Sequence, residues 1–546
     1  MTAARATQIA IIVLAILSGG CTARHATGTA KLYSVETLVS GGPMHGAKGI
    51  TFGPDDDLYV CSVYAQSIYR VNVSTGAVSV AVGPPYGESD DVAFAPDGTM
   101  AWSALVSAEV RAQKPGGESY VLANKVPLIN PLDYTSDGRL FAAQIGIDRF
   151  LEIDVSGEQP PRLVAKGIGH LNSFEINAND ELYGPLAGLE KIGRIDLETG
   201  EVTIVAEGFG MVSAVNFDSK GQLYGVGWTS GELLRIDTEL GNAEVIAQFE
   251  PPIDNLAIGP DDMIYVSLPS RGAIMKVDPN NGEIFNVVPG NLSVPGGLAL
   301  TTVNGKETLI VADDFGFRHV DTQSGRVWAI TDLTDFMNPA TASDAAANDK
   351  VIVLSDVTRS LVYMVNRSNS EITHKWKGIE TPYGLVLTDD DEPIVAEFTN
   401  GQLIKLSTSD RKARDVIASG LEGPVGLSWA DADSVYVAEA NAGVVSRVNI
   451  KNGKRTIIAS GLSQPEGITV MHDGRVAIVE AGAQRVTAVD PATGSATILA
   501  ENLPVGAEFP DSPGPIDVPS GIVAGADGSL YLSSDQNHSV LRLIPN

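Results

Sequence analysis

Four oxygen-bearing side chains recur at one position of an internal sequence repeat, each just before a short apolar segment. They are Asp90, Asn130, Asn172 and Asp254. Carboxylate and carboxamide oxygens are the hard ligands that Ca²⁺ and Mg²⁺ take in proteins, with water completing the shell. If the fold brings the repeats together, this pattern predicts a divalent cation site, with Ca²⁺ favoured and Mg²⁺ as the alternative.

Two histidines lie in the segments that lead to such positions. His170 precedes Asn172 in "GIGHLNSF", and His45 stands in "GPMHGAKG". A neutral imidazole beside a metal-bound water can act as a general base, because its pKa lies near neutrality. His170 and His45 are therefore the candidate catalytic residues, with a hydrogen-bonded loop position as the alternative for each.

The four oxygen-bearing residues also have a structural explanation. Asp and Asn are common where a loop enters a strand, since their side chains bond the nearby backbone. The corresponding position of the first repeat holds Lys48. Its ammonium can pair with Asp90, project into solvent or take the place of the metal, and the sequence leaves these alternatives open.

The elements that must position these residues are short strands. Twelve units, mostly 40 to 42 residues apart, each read as an apolar strand, a "PDG"-like turn, an "LYV"-like strand and two further strands joined by "TG". Period-two alternation with glycine-centred turns indicates a four-stranded antiparallel sheet in each unit. Repeats of this length and strand number are typical of propeller blades. The first strand of a blade lines the central channel, so the predicted ligands would meet at one channel mouth.

The predicted fold class is therefore all-β, with two tandem six-bladed propellers made of twelve four-stranded blades. The segment "KLYSVETLVS" before the first unit matches a fourth strand, while the last unit stops after its third strand. We expect a chain-end strand to close each ring, with 31–40 in the sixth blade and 283–290 in the twelfth, because connections avoid crossing between domains. The predicted domains are residues 31–282 and 283–546.

The second group of units carries an acid near the end of each second strand. These acids are Asp313, Asp356, Glu397, Glu439, Glu480 and Asp535. Together they could form a cation ring, but a structural role is favoured, because a carboxylate here caps the tight loop to the third strand. The first group has Ser62, Gln144 and Gly227 near the equivalent place, so its loops must be held differently.

The first residues resemble an export signal. Arg5 precedes the apolar run 9–17 and then "SGGC", which predicts a signal peptide over 1–20 that is cut before Cys21. Lipidation of Cys21 would anchor the chain through a tether, 21–30, to a bacterial membrane, the outer membrane if the host is Gram-negative; a plain secretory signal is the alternative. The other cysteine, Cys61, predicts a buried thiol and no disulfide.

Composition narrows the partners and the chemistry. A formal net charge of -30 argues against nucleic acid or an anionic membrane surface, because phosphate binding depends on Lys and Arg. The sequence lacks G-x-S-x-G, H-E-x-x-H and C-x-x-C motifs, a P-loop and a dinucleotide fingerprint. We expect a small-molecule, glycan or protein ligand at a propeller mouth, and membrane contact only through the lipid anchor.

The repeats resemble those of SMP-30/gluconolactonase and NHL-type propellers and, more loosely, paraoxonases and streptogramin lyases, over nearly all of residues 31–546. Lactonases of the SMP-30 family hold one divalent cation with Glu, Asn and Asp side chains. Asn172 in "HLNSF", Asn130 in "LINPL" and Asp254 in "PPIDNLA" match the positions of those ligands. Lys48 replaces the family's glutamate, so Asp90 would supply the missing carboxylate.

This resemblance implies a function of one of three kinds. The first is a metal-dependent hydrolase in which a metal-held water attacks the carbonyl of a lactone or related ester. The second is a noncatalytic scaffold that presents a propeller face to a protein, glycan or small ligand. The third is a metal-dependent lyase of the streptogramin-lyase type, for which Glu466 and Glu480 are the loose candidates.

Overall fold

The computed structural model describes residues 32–314, 316–332, 342–507 and 518–546. Residues 1–31, which include the predicted signal peptide, the whole predicted tether and Cys21, lie outside the described residues. Strands dominate the described chain, beginning with β1 (Tyr33–Val39), and the only helical turns there are Ile145–Ile147, Pro269–Arg271 and Ala481–Ala483. No helix in these ranges is long and apolar enough to cross a membrane.

The strands pair into twelve four-stranded antiparallel sheets, as predicted. Six sheets of consecutive strands pack in order around a first ring. Their strands are β2 (Ile50–Phe52), β3 (Leu58–Ser62), β4 (Ser67–Asn72) and β5 (Ala77–Val82); β6 (Ser89–Phe94), β7 (Met100–Ala104), β8 (Glu109–Gln113) and β9 (Ser119–Asn124); β10 (Ile129–Tyr134), β11 (Leu140–Gln144), β12 (Arg149–Ile153) and β13 (Arg162–Lys166); β14 (Glu175–Ile176), β15 (Leu182–Leu186), β16 (Lys191–Ile195) and β17 (Val202–Glu207); β18 (Val212–Phe217), β19 (Leu223–Gly227), β20 (Glu232–Asp237) and β21 (Asn242–Gln248); and β22 (Leu256–Ile258), β23 (Ile264–Leu268), β24 (Ala273–Val277) and β25 (Ile284–Val288).

The other six sheets form a second ring. Their strands are β26 (Leu298–Val303), β27 (Lys306–Asp313), β28 (Gly316–Asp321) and β29 (Val327–Asp332); β30 (Ala342–Ala347), β31 (Val351–Asp356), β32 (Leu361–Asn366) and β33 (Ile372–Lys377); β34 (Pro382–Leu387), β35 (Pro393–Glu397), β36 (Gln402–Leu406) and β37 (Arg414–Ser419); β38 (Pro424–Asp431), β39 (Ser434–Glu439), β40 (Val444–Asn449) and β41 (Arg455–Ser460); β42 (Pro465–Val470), β43 (Val476–Glu480), β44 (Arg485–Val489) and β45 (Ala496–Glu501); and β46 (Ile522–Ala524), β47 (Leu530–Ser534) and β48 (Ser539–Pro545) with β1.

Burial within a blade explains its sequence. The second strand is covered on both faces by neighbouring blades, so β3 reads "LYVCS" and is almost wholly buried. The fourth strand lies at the rim, and most of β5 is exposed. The "PDG" turn between β6 and β7 needs its glycine, because Gly98 has φ +82°, which other residues adopt only with strain.

The closure of the rings differs from the prediction. β1 pairs with β48, with Tyr33 opposite Pro545, so the first strand completes the twelfth blade rather than the sixth. The sixth blade takes β25 as its own fourth strand, so 283–290 belongs to the first ring. The chain therefore crosses between the rings twice, and the two connections lie side by side, where the Asn291 amide donates to the carbonyl oxygen of Ser40 at 2.9 Å.

The first propeller is consequently an insertion in the second. Its sheets run without interruption from β2 to β25, whereas the second ring combines β1 with β26 to β48. The predicted boundaries at 31 and 283 each misassign one strand. Only the second ring is closed by chain-end strands, and the first is closed by packing between its first and sixth blades.

The contact between the propellers is buried and mixed in character. Tyr64 of the first ring packs against Val294 and Val518 of the second, and all three are buried. Close by, Arg318 forms a buried ion pair with Asp313 and donates to a first-ring carbonyl, that of Ser270. The propellers thus meet through loops at the ends of their second strands.

Glycine distinguishes the two central channels. Five blades of the second ring place it early in the innermost strand: Gly297, Gly384, Gly426, Gly467 and Gly521. A Cβ on Gly384 would lie 2.1 Å from the carbonyl oxygen of Val425 in the next blade, so these strands approach too closely for a side chain. In the first ring the strand register keeps glycine only at Gly49. Side chains such as those of Asp91 and Asn255 extend into that channel instead.

Candidate functional site

Six residues lie where the innermost strands of the first ring begin, and we call them the mouth residues. They are Lys48, Asp90, Asn130, Asn172, Ser213 and Asp254. Backbone bonds from Lys48 to Cys61, from Asn172 to Pro185 and from Asp254 to Ser267 hold three of them to the second strand of their own blade. Three mouth residues are buried, while Asp90, Asn130 and Asp254 are half-buried. The mouth predicted from the repeats is therefore present.

The equivalent residues of the second ring follow from strand register. They are Gly296, Ser343, Tyr383, Val425, Glu466 and Ser520. Ala342 pairs with Asp356 as Ser89 pairs with Ala104, so the bulge that follows puts Ser343 at the mouth.

Lys48 lies among the carboxylates of the first mouth. Burial alone would lower the pKa of Lys48, but the negative charges of Asp254, Asp314 and Asp90 outweigh burial and raise it. The side chain therefore stays an ammonium ion. Only 7% of Lys48 is exposed, which excludes the alternative in which it projects into solvent.

The carboxylates around Lys48 are held in a low-polarity setting. Burial raises the pKa of Asp254 to about 7, with Lys48 lowering it and Asp90 raising it further. Burial likewise raises the pKa of Asp90, while Lys48 and a hydrogen bond with Asn130 lower it. Two predicted ligands, Asp90 and Asn130, therefore bond to one another, and Asp254 is coupled to Asp90 through charge.

Asn172, the remaining predicted ligand, is almost fully buried. Its Oδ1 has no hydrogen-bond partner within the described residues. A buried amide oxygen left without a donor costs roughly 1–3 kcal/mol. This atom marks the one place in the first mouth where an incoming donor would gain an unused acceptor.

The described residues do not fit a divalent cation as they stand. Ca²⁺ takes six to eight oxygens with several carboxylates among them. Here the Lys48 ammonium already interacts with the charges of Asp90 and Asp254, and Asn130 is bonded to Asp90. In the described ranges no three His, Cys, Asp or Glu side chains are grouped to hold a metal. The predicted Ca²⁺ or Mg²⁺ site remains a prediction that these contacts do not favour.

His170 is held by the third blade. Its Nδ1 lies 2.7 Å from the carbonyl oxygen of Ile145, so Nδ1 carries the proton. The backbone N–H of His170 donates to Asp148 Oδ1 at 2.9 Å, which fixes a left-handed φ of +60°. These contacts give His170 a loop-positioning role, and its catalytic role stays a prediction.

His45 lies in the contact between the propellers. Its ring centroid is 4.0 Å from that of His538 in the twelfth blade. Burial, and then the neighbouring His538, lowers the pKa of His45 well below its usual value, so the imidazole stays neutral. The structure places this candidate base against the second ring.

The acids of the second ring bind backbone N–H groups of the loop that leads into their own blade. Glu397, Glu439 and Glu480 each accept an N–H from a residue 17 positions earlier, at 2.8, 2.8 and 2.9 Å. Asp313 accepts from Ser293 and Val294, and Asp535 accepts from Gly506 and Ala507.

Asp356 caps the loop to the third strand by accepting the N–H of Arg359 at 3.1 Å, and Asp313 also accepts the N–H of Asp314 in the corresponding loop of its own blade. The second-ring acids therefore have structural partners, and five of them bond the preceding loop.

The first ring holds the same loops with the opposite polarity. Ser62 and Gln144 stand at the equivalent strand ends, and each donates to a backbone carbonyl 17 residues earlier, His45 and Pro127 respectively. A donor on the side chain replaces an acceptor, and a backbone carbonyl replaces an N–H. At Ser62 and Gln144, this exchange of donor and acceptor is how the first ring holds these loops differently, as predicted.

Sequence reasoning missed several buried carboxylates. Asp314 lies near Lys48 although it belongs to the second ring, and Tyr64 donates to it. Asp91 accepts N–H groups from Val92 in its own blade and Leu132 in the next. The signal in the sequence was the doublets "SDD" and "ADD", but which acid of a doublet faces inward depends on the bulge in each strand.

Two cavities lie along the channel of the second ring. The smaller, of about 60 Å³, is at the mouth and is lined by Ser343, Asp344, Tyr383 and Ser520 among the glycines. The larger, of about 550 Å³, opens at the opposite end, where Leu300, Leu387 and Trp429 form much of its wall.

Comparison with known proteins gives structural matches only. No protein-family profile and no curated protein matches the chain. A streptogramin B lyase structure is 13% identical, with 61% of this chain and 93% of that chain covered and a TM-score of 0.30. A structure of virginiamycin B lyase from Staphylococcus aureus is 17% identical, with 52% of this chain and 96% of that chain covered and a TM-score of 0.36. A structure assigned to the gluconolactonases is 14% identical, with 47% of this chain and 93% of that chain covered and a TM-score of 0.37.

With TM-scores of 0.30 to 0.37, these matches establish neither a family nor a role for this chain. The assignment of two six-bladed propellers rests on the pairing and packing of the sheets themselves.

Proposed function

We propose that the protein is a noncatalytic binding propeller whose first mouth takes a neutral, hydroxyl-rich ligand such as a glycan. The observation that supports this function most is the position of Lys48 among Asp90, Asp254 and Asp314. The mouth carries its own cation there. A ligand bound at this place needs no divalent metal to balance the carboxylates.

The donor and acceptor groups of the mouth suit hydroxyl groups. A hydroxyl both donates and accepts, and the mouth offers ammonium donors, carboxylate acceptors and carboxamides that do both. Asn172 Oδ1 is buried without a partner, so a ligand hydroxyl that donated to it would remove an existing penalty. The half-buried Asp90, Asn130 and Asp254 leave this set reachable from solvent.

A metal-dependent hydrolase or lyase needs more than the described mouth supplies. Either reaction depends on a metal that polarises the substrate or activates water. Such an ion would have to displace the Lys48 ammonium and separate Asn130 from Asp90. Metal binding with turnover is therefore the result that would contradict the proposal.

We further propose that the chain is exported and anchored through a lipid on Cys21. Support comes from the sequence alone: Arg5, the apolar run 9–17 and the small residues before Cys21. An anchor there would join the second ring, because β1 is part of the twelfth blade.

The binding proposal can be tested by calorimetric titration of a panel of soluble glycans and lactones into purified protein, with the metal content of the same samples measured by mass spectrometry. We expect a glycan to bind without a stoichiometric metal. Asn172→Ala should weaken that binding by about tenfold, because one well-placed hydrogen bond is lost.

The matched control is Val425→Ala, at the equivalent position of the second mouth. It should leave glycan binding unchanged. One equivalent of Ca²⁺ in the wild type, with lactone turnover that disappears together with the metal in Asn172→Ala, would overturn the binding function in favour of the hydrolase.

A further inference from the structure

The second channel contains a carboxylate, that of Asp344, for which the described residues provide no ion-pair partner. Asp344 accepts N–H groups from Ala345 at 2.8 Å and from Leu385 in the next blade at 2.7 Å. No lysine or arginine in the described ranges forms an ion pair with it. The segments 333–341 and 508–517 contain neither residue type in their sequences.

The first ring provides an internal comparison. Asp91 occupies the same register position as Asp344 and makes the same bonds, to its own following residue, to the next blade and to a serine of the second strand. In that ring Lys48 brings an ammonium to the channel mouth. The residue equivalent to Lys48 in the second ring is Gly296, which has no side chain.

The space next to Asp344 has room for a small ion. The cavity of about 60 Å³ at this mouth exceeds the roughly 10–15 Å³ that one water molecule requires. A Cβ on Gly296 would meet Val518 and the Ser343 carbonyl, so strand packing keeps a lysine from filling the cavity.

Two further groups lining the cavity suit a cation. Ser520 is fully buried, and its Oγ has no hydrogen-bond partner within the described residues. The ring of Tyr383 forms another wall, and an aromatic face attracts a positive charge. An acceptor oxygen without a donor and a carboxylate without a counter-ion therefore border one cavity.

We infer that this cavity binds one monovalent cation of ammonium or alkali-metal size, held by Asp344, Ser520 and Tyr383 as the free counterpart of the Lys48 ammonium in the first ring. Charge balance selects a monovalent ion, because one carboxylate is available and Ca²⁺ requires several. The bound ion would join the first strands of several blades and so stabilise the closed second ring.

Thermal unfolding in ammonium, potassium and sodium chlorides, each compared with choline chloride at equal ionic strength, tests this inference. Choline carries the same charge on a much bulkier ion. We expect at least one small cation to raise the melting temperature in a saturable way, as linkage requires for a ligand of the folded state. Ser520→Ala should weaken the apparent affinity by about tenfold, and Asp344→Asn should abolish the response.

Asp91→Asn is the matched control, since it removes the same kind of bridging carboxylate from the ring that has its own ammonium. It should keep the cation response of the wild type. Rubidium-soaked crystals give a direct readout, in which an anomalous peak beside Asp344 is expected. A response shared equally by choline, or a cavity that holds water without rubidium, would overturn the inference, and neither result depends on the ligand of the first mouth.

Discussion

The hydroxyl of Tyr64 in the first propeller donates a 2.6 Å hydrogen bond to Oδ1 of Asp314 in the second. The other carboxylate oxygen, Oδ2, has no hydrogen-bond partner among the described groups. Asp314 is also one of the three acids that hold the charge of Lys48. One contact thus connects the joint between the propellers to the mouth of the first.

Replacing Tyr64 with phenylalanine should destabilise this joint. Asp314 would lose the Tyr64 donor while remaining buried, and a carboxylate oxygen left unsatisfied in this way costs roughly 1–3 kcal/mol. Urea unfolding at mildly alkaline pH measures the change. Tyr183→Phe, in a ring that packs edge-on against Phe217, is the control and should shift stability by less than about 0.5 kcal/mol. Equal losses in both variants would argue against a special role for the contact.

Asp314→Asn should flatten the dependence of stability on pH. Burial raises the pKa of Asp314 to about 7, although Lys48, Tyr64 and Arg318 lower it and Asp313 raises it. In the unfolded chain the group ionises near pH 4, so its contribution is full below about pH 4 and is lost as the pH rises through about 7. The wild-type slope should be steeper by up to about 1.4 kcal/mol per pH unit in this window.

The control residue for this experiment, Asp154, has a pKa shift of the opposite sign. Hydrogen bonds from Ser156 and Gln159 lower the pKa of the exposed Asp154, so its contribution is lost only as the pH falls below about 4. Asp154→Asn should leave the slope between pH 4 and 7 unchanged. An Asp314→Asn variant with the wild-type slope would show that this carboxyl ionises normally.

Lys48→Met should convert the first mouth into a site that responds to Ca²⁺. Without the ammonium, the half-buried Asp90 and Asp254 and the buried Asp314 lose their counter-ion, which costs up to about 3–5 kcal/mol when they are ionised. Melting curves should show a larger loss at pH 8 than at pH 5, partly recovered by added Ca²⁺. Lys276→Met, which removes a partly exposed partner of Asp261, should show neither effect. If Ca²⁺ stabilised the wild type to the same extent, this would contradict the proposal that the Lys48 ammonium serves as the cation of the first mouth.

Deleting the chain through Ser40 should open the second ring and leave the first intact. The deletion removes β1, so β48 becomes an unpaired edge strand. Hydrogen exchange should show faster exchange in β46 to β48 and unchanged protection in β22 to β25. A deletion that ends at residue 31 is the control, because it keeps β1. Loss of protection in β25 would instead support the closure predicted from the sequence, in which the N-terminal strand belongs to the sixth blade.

Metabolic labelling with a radioactive fatty acid tests the anchor. We expect label on the wild type and none on Cys21→Ala, which should also appear in the soluble fraction. Cys61→Ala is the matched control, since Cys61 is buried and bonded to Ser89 and should leave labelling unchanged. Label that persists without Cys21 would show a different mode of attachment.

The blades were predictable because each is specified locally. Turn glycines such as Gly98 and the apolar second strands repeat with every unit, so strand number and order follow from the sequence. Ring closure was not predictable, because β1 and β25 both read as rim strands with mostly exposed residues. The choice between their partners depends on contacts more than 240 residues apart, such as that of Asn291 with Ser40.

The mouth was predictable in position but not in chemistry. Asp90, Asn130, Asn172 and Asp254 occupy the expected places because strand register sets them. The state of Lys48 depends on Asp314, which is 266 residues away in sequence (314 − 48) and comes from the other propeller. A pattern read within one ring cannot include a charge that the other ring supplies.

The pairing of β1 with β48 imposes an order on folding. During synthesis β1 emerges before the other described strands and β48 after them, so the second ring cannot close until β48 has been made. The first ring is contiguous and can be complete long before then. For most of translation β1 therefore exposes unpaired backbone beside an already finished neighbour, and this strand is the segment most in need of protection from premature association.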